Sequence, residues 1–137
     1  MIGIFIITHE TFGIACEELS CHFFGEGTQH VRHLSVHTVD DIDALKIKAK
    51  KMRDEIDFGH GVLVLNDIFG ASPYNIARTL ITDEKTALLT GANAAMIVRA
   101  INFGRQTENL NELLLSAQNA AHESIINITI DNVEQYD

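Results

Sequence analysis

No apolar run in the chain approaches the roughly 20 residues of a membrane-spanning helix, so direct membrane contact is not expected. The first apolar stretch, Ile2 to Ile7, lacks a basic lead and a small-residue cleavage site, and no secretory leader is expected from it. Basic residues are scarce: 10 Lys and Arg face 19 Asp and Glu, a formal net charge of −9, with no basic cluster apart from the helices. That sign makes nucleic acid and anionic membrane surfaces poor partners. Cysteines number only 2, Cys16 and Cys21, close together in an expected helix. They read as free buried thiols of a cytoplasmic protein, ahead of any disulfide or metal role. Linkers, internal repeats and low-complexity segments are missing too, so the 137 residues are expected to form a single domain, 1–137.

What the chain does contain is typical of a globular core: 46% hydrophobic and 21% charged residues exclude a disordered or fibrous class. The apolar runs at Ile2–Ile7, Val31–Val36 and Val62–Leu65, with Thr86–Thr90, read as four strands. Their short, unalternated, β-branched character is that of strands buried on both faces of a parallel sheet. Helical stripes separate them. Phe12, Cys16, Leu19 and Phe23 share one face of the first; Ile42, Leu45, Ala49, Met52 and Ile56 mark the second. In that second helix Lys46, Lys50, Lys51, Arg53 and Asp54 are expected in water, and Thr38, Asp40 and Asp41 offer N-cap chemistry. Later stripes run from Ile76 to Leu80, from Ala94 to Phe103, and through Leu110, Leu113, Leu114, Ala117 and Ala121. Ile126, Ile128 and Ile130 alternate with polar residues, the pattern of an edge or antiparallel strand. The expected fold is α/β: a doubly wound, mostly parallel sheet of order 2-1-3-4, helices on both faces, and a C-terminal antiparallel edge strand.

Two of the parallel strands run out into reactive residues, the first at His9 and the third at Asp67. In this strand order they are neighbours at the topological switch point, so imidazole and carboxylate would meet beyond the carboxyl edge of the sheet. A carboxylate on one ring nitrogen fixes the tautomer and leaves the other nitrogen as a nucleophile. Read separately, His9 is equally a polar loop residue and Asp67 a turn-former. Ser72-Pro73 resembles a helix start, where Ser72 would cap the helix, donate its hydroxyl to a phosphate oxygen, or both. Gly70 and Ala71 complete a phosphate-binding loop with Ser72, Gly70 permitting close backbone approach and the helix N–H groups facing the same rim. Ile68 and Phe69 are candidate partner contacts, unless Phe69 folds back on the core. No acidic pair suited to a metal stands beside the first strand, and His33 and His37, two residues of like facing, read as a chance surface pairing. No cofactor is expected.

Three blocks, IGIFIITHE, GVLVLNDIFGASPYNIA and LLTGANAAM, resemble in order those of the enzyme IIA domain of the mannose family of the bacterial sugar phosphotransferase system (PTS EIIA). The resemblance covers nearly the whole chain. It implies a cytoplasmic phosphotransferase component, a homodimer that exchanges its last strand. It implies that His9 takes phosphate from the phosphohistidine of the phosphocarrier HPr and passes it to a IIB protein for carbohydrate uptake. Asp67 would hydrogen-bond the histidine and Ser72 would touch the phosphoryl group. Three departures stand out: Glu10 where members often have glycine after the histidine, Ala71 where they have a second glycine, and Ala94-Ala95 where a proline is common. Glu10 adds negative charge beside an incoming phosphate, which raises the transfer barrier or selects a more basic partner face.

Other readings keep parts of this. A freestanding phosphocarrier could act on a regulator or a dihydroxyacetone kinase instead of a transporter. A receiver-like domain of the same sheet order would instead be phosphorylated on Asp67, but would need a cradle of acids where this chain has His9 and Glu10. Sugar specificity is not encoded, because in this family the IIA domain does not bind the sugar.

Overall fold

The computed structural model describes all 137 residues, Met1–Asp137. Four strands, β1 (Gly3–His9), β2 (Val31–Val36), β3 (Val62–Asn66) and β4 (Thr86–Thr90), form one sheet of order β2-β1-β3-β4. Every pairing is parallel, with Ile4 opposite Val31 and Leu63, and Leu65 opposite Leu89. The helices are α1 (Phe12–Phe24), α2 (Ile42–Glu55), α3 (Ser72–Arg78), α4 (Ala94–Gly104) and α5 (Leu110–Glu123).

Alternation along the central strands divides the core in two. Ile4, Ile6, Leu63 and Leu65 point to the face covered by α1, α4 and α5, where they pack with Cys16, Ile97, Ile101, Leu113 and Ala117. Phe5, Ile7, Val62 and Val64 point the other way, onto Ala49 and Ile56 from α2 and its end and Ile76 and Ala77 from α3. Strands with both faces covered need apolar residues at every position, and so these runs do not alternate. Gly3 lets the end of α2 close on β1, since a Cβ there would run into the carbonyl of Ile56. The N-cap of α2 is Asp41, whose carboxylate accepts the N–H groups of Asp43 at 3.1 Å and Ala44 at 3.3 Å.

Four expectations need correction. First, Ile126–Ile130 form no strand within the chain: after α5 the segment is unpaired and exposed, with Ile130 90% accessible, and ends in a 3₁₀ turn at Val133–Tyr136. A β-type pattern needs a partner edge to become a strand, and within one chain this segment does not pair with either free edge of the sheet, at β2 or β4. Second, α1 buries Gly13, Cys16 and Ser20, leaving Phe12 and Phe23 exposed. Small residues let this helix approach the sheet closely, and the Ser20 hydroxyl satisfies itself by donating to the Cys16 carbonyl at 2.8 Å. Third, Cys21 is exposed, and only Cys16 is a buried thiol. Fourth, Arg53 is buried: its guanidinium donates to Thr86 Oγ1 at 2.9 Å and the Lys85 carbonyl at 3.1 Å, and pairs with Asp57 at 2.9 Å. A planar fork with five donors can be satisfied in the interior where an ammonium would not.

Candidate functional site

The carboxyl edge of the sheet brings together the ends of β1 and β3, and with them the two candidate site residues. His9 is the last residue of β1, and Asp67 follows β3 directly. Their side chains meet, His9 Nδ1 lying 2.9 Å from Asp67 Oδ2. The same oxygen accepts the His9 backbone N–H at 3.0 Å, and Asp67 Oδ1 accepts the N–H of Ile68 at 3.0 Å. With both oxygens engaged the carboxylate is locked, and its 11% exposed side chain in turn orients an imidazole that is 37% exposed. A donor at Nδ1 places the lone pair on Nε2, which has no partner within the chain and faces the rim. Beneath them, burial and then the Asp67 carboxylate push the Cys16 thiol up to about 11, so it stays protonated.

Ser72 opens α3, but the capping position belongs to Ala71, in extended backbone at φ −90° and ψ 179°, with no side-chain cap. The expected capping role of Ser72 is therefore corrected, and its exposed hydroxyl is not consumed by the helix. Pro73 removes one amide from the first turn, and at 7 residues the helix is about two turns long, so its dipole contributes less than anticipated. Gly70 has φ +87° with open space around it; the loop needs glycine for the left-handed turn, not for crowding. Phe69 does not fold back on the core. It is 70% exposed and rests against Tyr74, ring centroids 4.7 Å apart, with Ile68 exposed beside it.

Three of the remaining histidines, His33, His37 and His60, each lie beside a carboxylate, whereas buried His30 meets the Ile101 carbonyl. His33 Nδ1 lies 2.9 Å from Glu17, and His37 Nδ1 lies 2.7 Å from Glu10. His33 and His37 thus each turn to a separate carboxylate, and no group of three or more His, Cys, Asp or Glu side chains converges to hold a metal ion. The contact of Glu10 with His37, one residue from His9, was not foreseen; the signal for it was that both residues directly follow paired positions, His9 and Val36, of adjacent parallel strands.

Known proteins share this fold. The EIIA-man family, described as the PTS system fructose IIA component, matches residues 3–118. The PTS system fructose-specific EIIA component of Bacillus subtilis is 30% identical over 125 residues, covering 90% of this chain and 84% of that protein. The mannose/sorbose-specific IIA subunit of Enterococcus faecalis superposes with a TM-score of 0.82 over 94% of this chain and 96% of its own, at 21% identity. A PTS IIA protein associated with the fucose utilization operon of Streptococcus pneumoniae gives 0.75 at 28% identity, covering 98% and 94%. With a family match across most of its length and the same doubly wound sheet beneath it, the chain belongs to the mannose-type IIA family, the phosphocarrier components of the bacterial sugar phosphotransferase system.

Proposed function

We propose that His9 is the phosphoacceptor: it takes a phosphoryl group from the phosphohistidine of HPr and hands it to a IIB protein or an equivalent acceptor. The observation that carries this reading is the 2.9 Å bond from His9 Nδ1 to Asp67, which leaves Nε2 as the exposed nucleophile. Attack is in line. The donor's N–P bond breaks as the bond from His9 Nε2 to phosphorus forms, and the donor imidazole leaves with the electron pair. Asp67 stabilises the charge that develops on the His9 ring, as a carboxylate does for the general-base histidine of hydrolases. Because both phosphoryl carriers are imidazoles, the step lies near equilibrium, and positioning supplies most of the acceleration. The loop Gly70-Ala71-Ser72 borders the phosphoryl position, with the uncommitted Ser72 hydroxyl donating to one of its oxygens.

Asp67 serves as orienter and not as acceptor in this reading, because its two oxygens already receive N–H groups from His9 and Ile68. Exposed Ile68 and Phe69 give successive partners the same apolar contact beside the histidine. The unit 1–137 acts as one cytoplasmic domain in a homodimer. Support for the dimer is an apolar groove of about 370 Å³ lined by Phe12, Ala15, Leu19, Ala94 and Ile97, together with the unpaired Ile126, Ile128 and Ile130. Two copies exchanging these surfaces would cover both.

Labelling by phosphoenolpyruvate through enzyme I and HPr tests the reading. Wild type should acquire an acid-labile, alkali-stable phosphate that His9→Ala does not, and Asp67→Asn should slow labelling by up to roughly 10⁴-fold, the loss known for the hydrolase case. Label on His9→Ala, or release of the phosphate from wild type in alkali, would overturn the assignment.

A further inference from the structure

Glu10 stands where the backbone turns left-handed: its φ is +45°, and it is the only residue other than glycine with positive φ. Its N–H continues the ladder from β1 to β2 by donating to the Val36 carbonyl at 2.9 Å, which sets Glu10 opposite His37. The two side chains close at 2.7 Å between Glu10 Oε2 and His37 Nδ1. A second acid meets the same residue from the turn into α2, where Asp40 Oδ2 accepts the His37 N–H at 2.7 Å. The charged groups facing the His37 ring are thus Glu10 after β1 and Asp40 after β2. Both favour the imidazolium, the Glu10 bond foremost, and His37 is raised above its ordinary range.

Glu10 directly follows the residue whose ring would carry a dianionic phosphoryl group. An uncompensated carboxylate there would oppose both the approach of phosphate and its retention. Building on the phosphocarrier reading above, we propose that His37, protonated and bonded to Glu10, is a positioning residue that neutralises the Glu10 carboxylate and draws it toward β2, making phosphoryl transfer to His9 dependent on the His37 charge. As pH rises and His37 loses its proton, the bared carboxylate repels the incoming group and transfer slows. In water-like surroundings screened by salt over about 8 Å, one unit charge roughly 4–6 Å from a dianion is worth about three- to tenfold in rate.

The test uses the full chain and two readouts. Ring resonances in an NMR titration should show His37 titrating above its ordinary range in wild type and returning to it in Glu10→Gln. Initial labelling rates from phosphorylated HPr are then compared across pH 6 to 9. The ratio of wild-type to Glu10→Gln rates cancels the titrations of His9 and of the donor, and should fall three- to tenfold as His37 deprotonates. His37→Gln should be slow across the range, and the double variant should recover. Equal rates and profiles for wild type and His37→Gln would overturn the proposal alone. Absence of label on the wild type would overturn the His9 assignment and this proposal with it.

Discussion

At the scale of single residues, the site works by committing atoms. Both oxygens of Asp67 are engaged and one nitrogen of His9 is free, and on the proposed reading that asymmetry selects the atom that reacts. The two cysteines show how far surroundings separate chemically identical groups. Cys16 is held as a thiol, pushed up to about 11, first by burial and second by Asp67, whereas Cys21 is open to solvent. Iodoacetamide at pH 8 should therefore alkylate Cys21 and spare Cys16 in the native protein, and modify both in urea, as peptide mass spectrometry would report. Comparable modification of the two in the folded state would show that α1 does not seal against the sheet.

Among elements, what the sequence made legible is the sheet and its edge. Strand ends are marked where apolar runs stop, and His9 and Asp67 meet because each ends one of two adjacent parallel strands. The misreadings share one physical cause: composition was taken as a substitute for contact. In α1 the large residues face outward because Gly13 must pass close to Thr8, where a Cβ would crowd its hydroxyl. Arg53 looked solvated because it is charged, yet its fork ties α2 to the loop before β4 and to Asp57. Removing it leaves Asp57 and Thr86 without their partner, so Arg53→Ala should lower stability by about 2–3 kcal/mol, read as a shift of the urea midpoint with unchanged slope. The pH dependence has a definite sign. Burial pushes the Asp57 carboxyl up, but the N–H groups of Gly59 and Gly61 and the Arg53 guanidinium outweigh it and hold it below its ordinary value of 3.8. A depressed folded-state value stabilises above the unfolded one and is lost as pH falls through the folded one, so Arg53→Ala should lose less of its remaining stability on acidification than wild type.

For the molecule as a whole, the C-terminal isoleucines are the feature that one copy leaves unresolved. Ile125, Ile126, Ile128 and Ile130 are all at least half exposed, an arrangement that invites pairing with another chain. Light scattering at micromolar concentration should give a dimer for the full chain and a monomer for a chain truncated after Ser124; a dimer from both would place the interface on α1 and α4 alone. One consequence of the doubled acceptance at Asp67 reaches beyond geometry. Because a single oxygen grips both the amide and the imidazole of His9, fraying of the third strand from the first would also release the ring. On the proposed reading, folding thus acts as a safety catch, and a damaged or half-assembled carrier is silent rather than promiscuous.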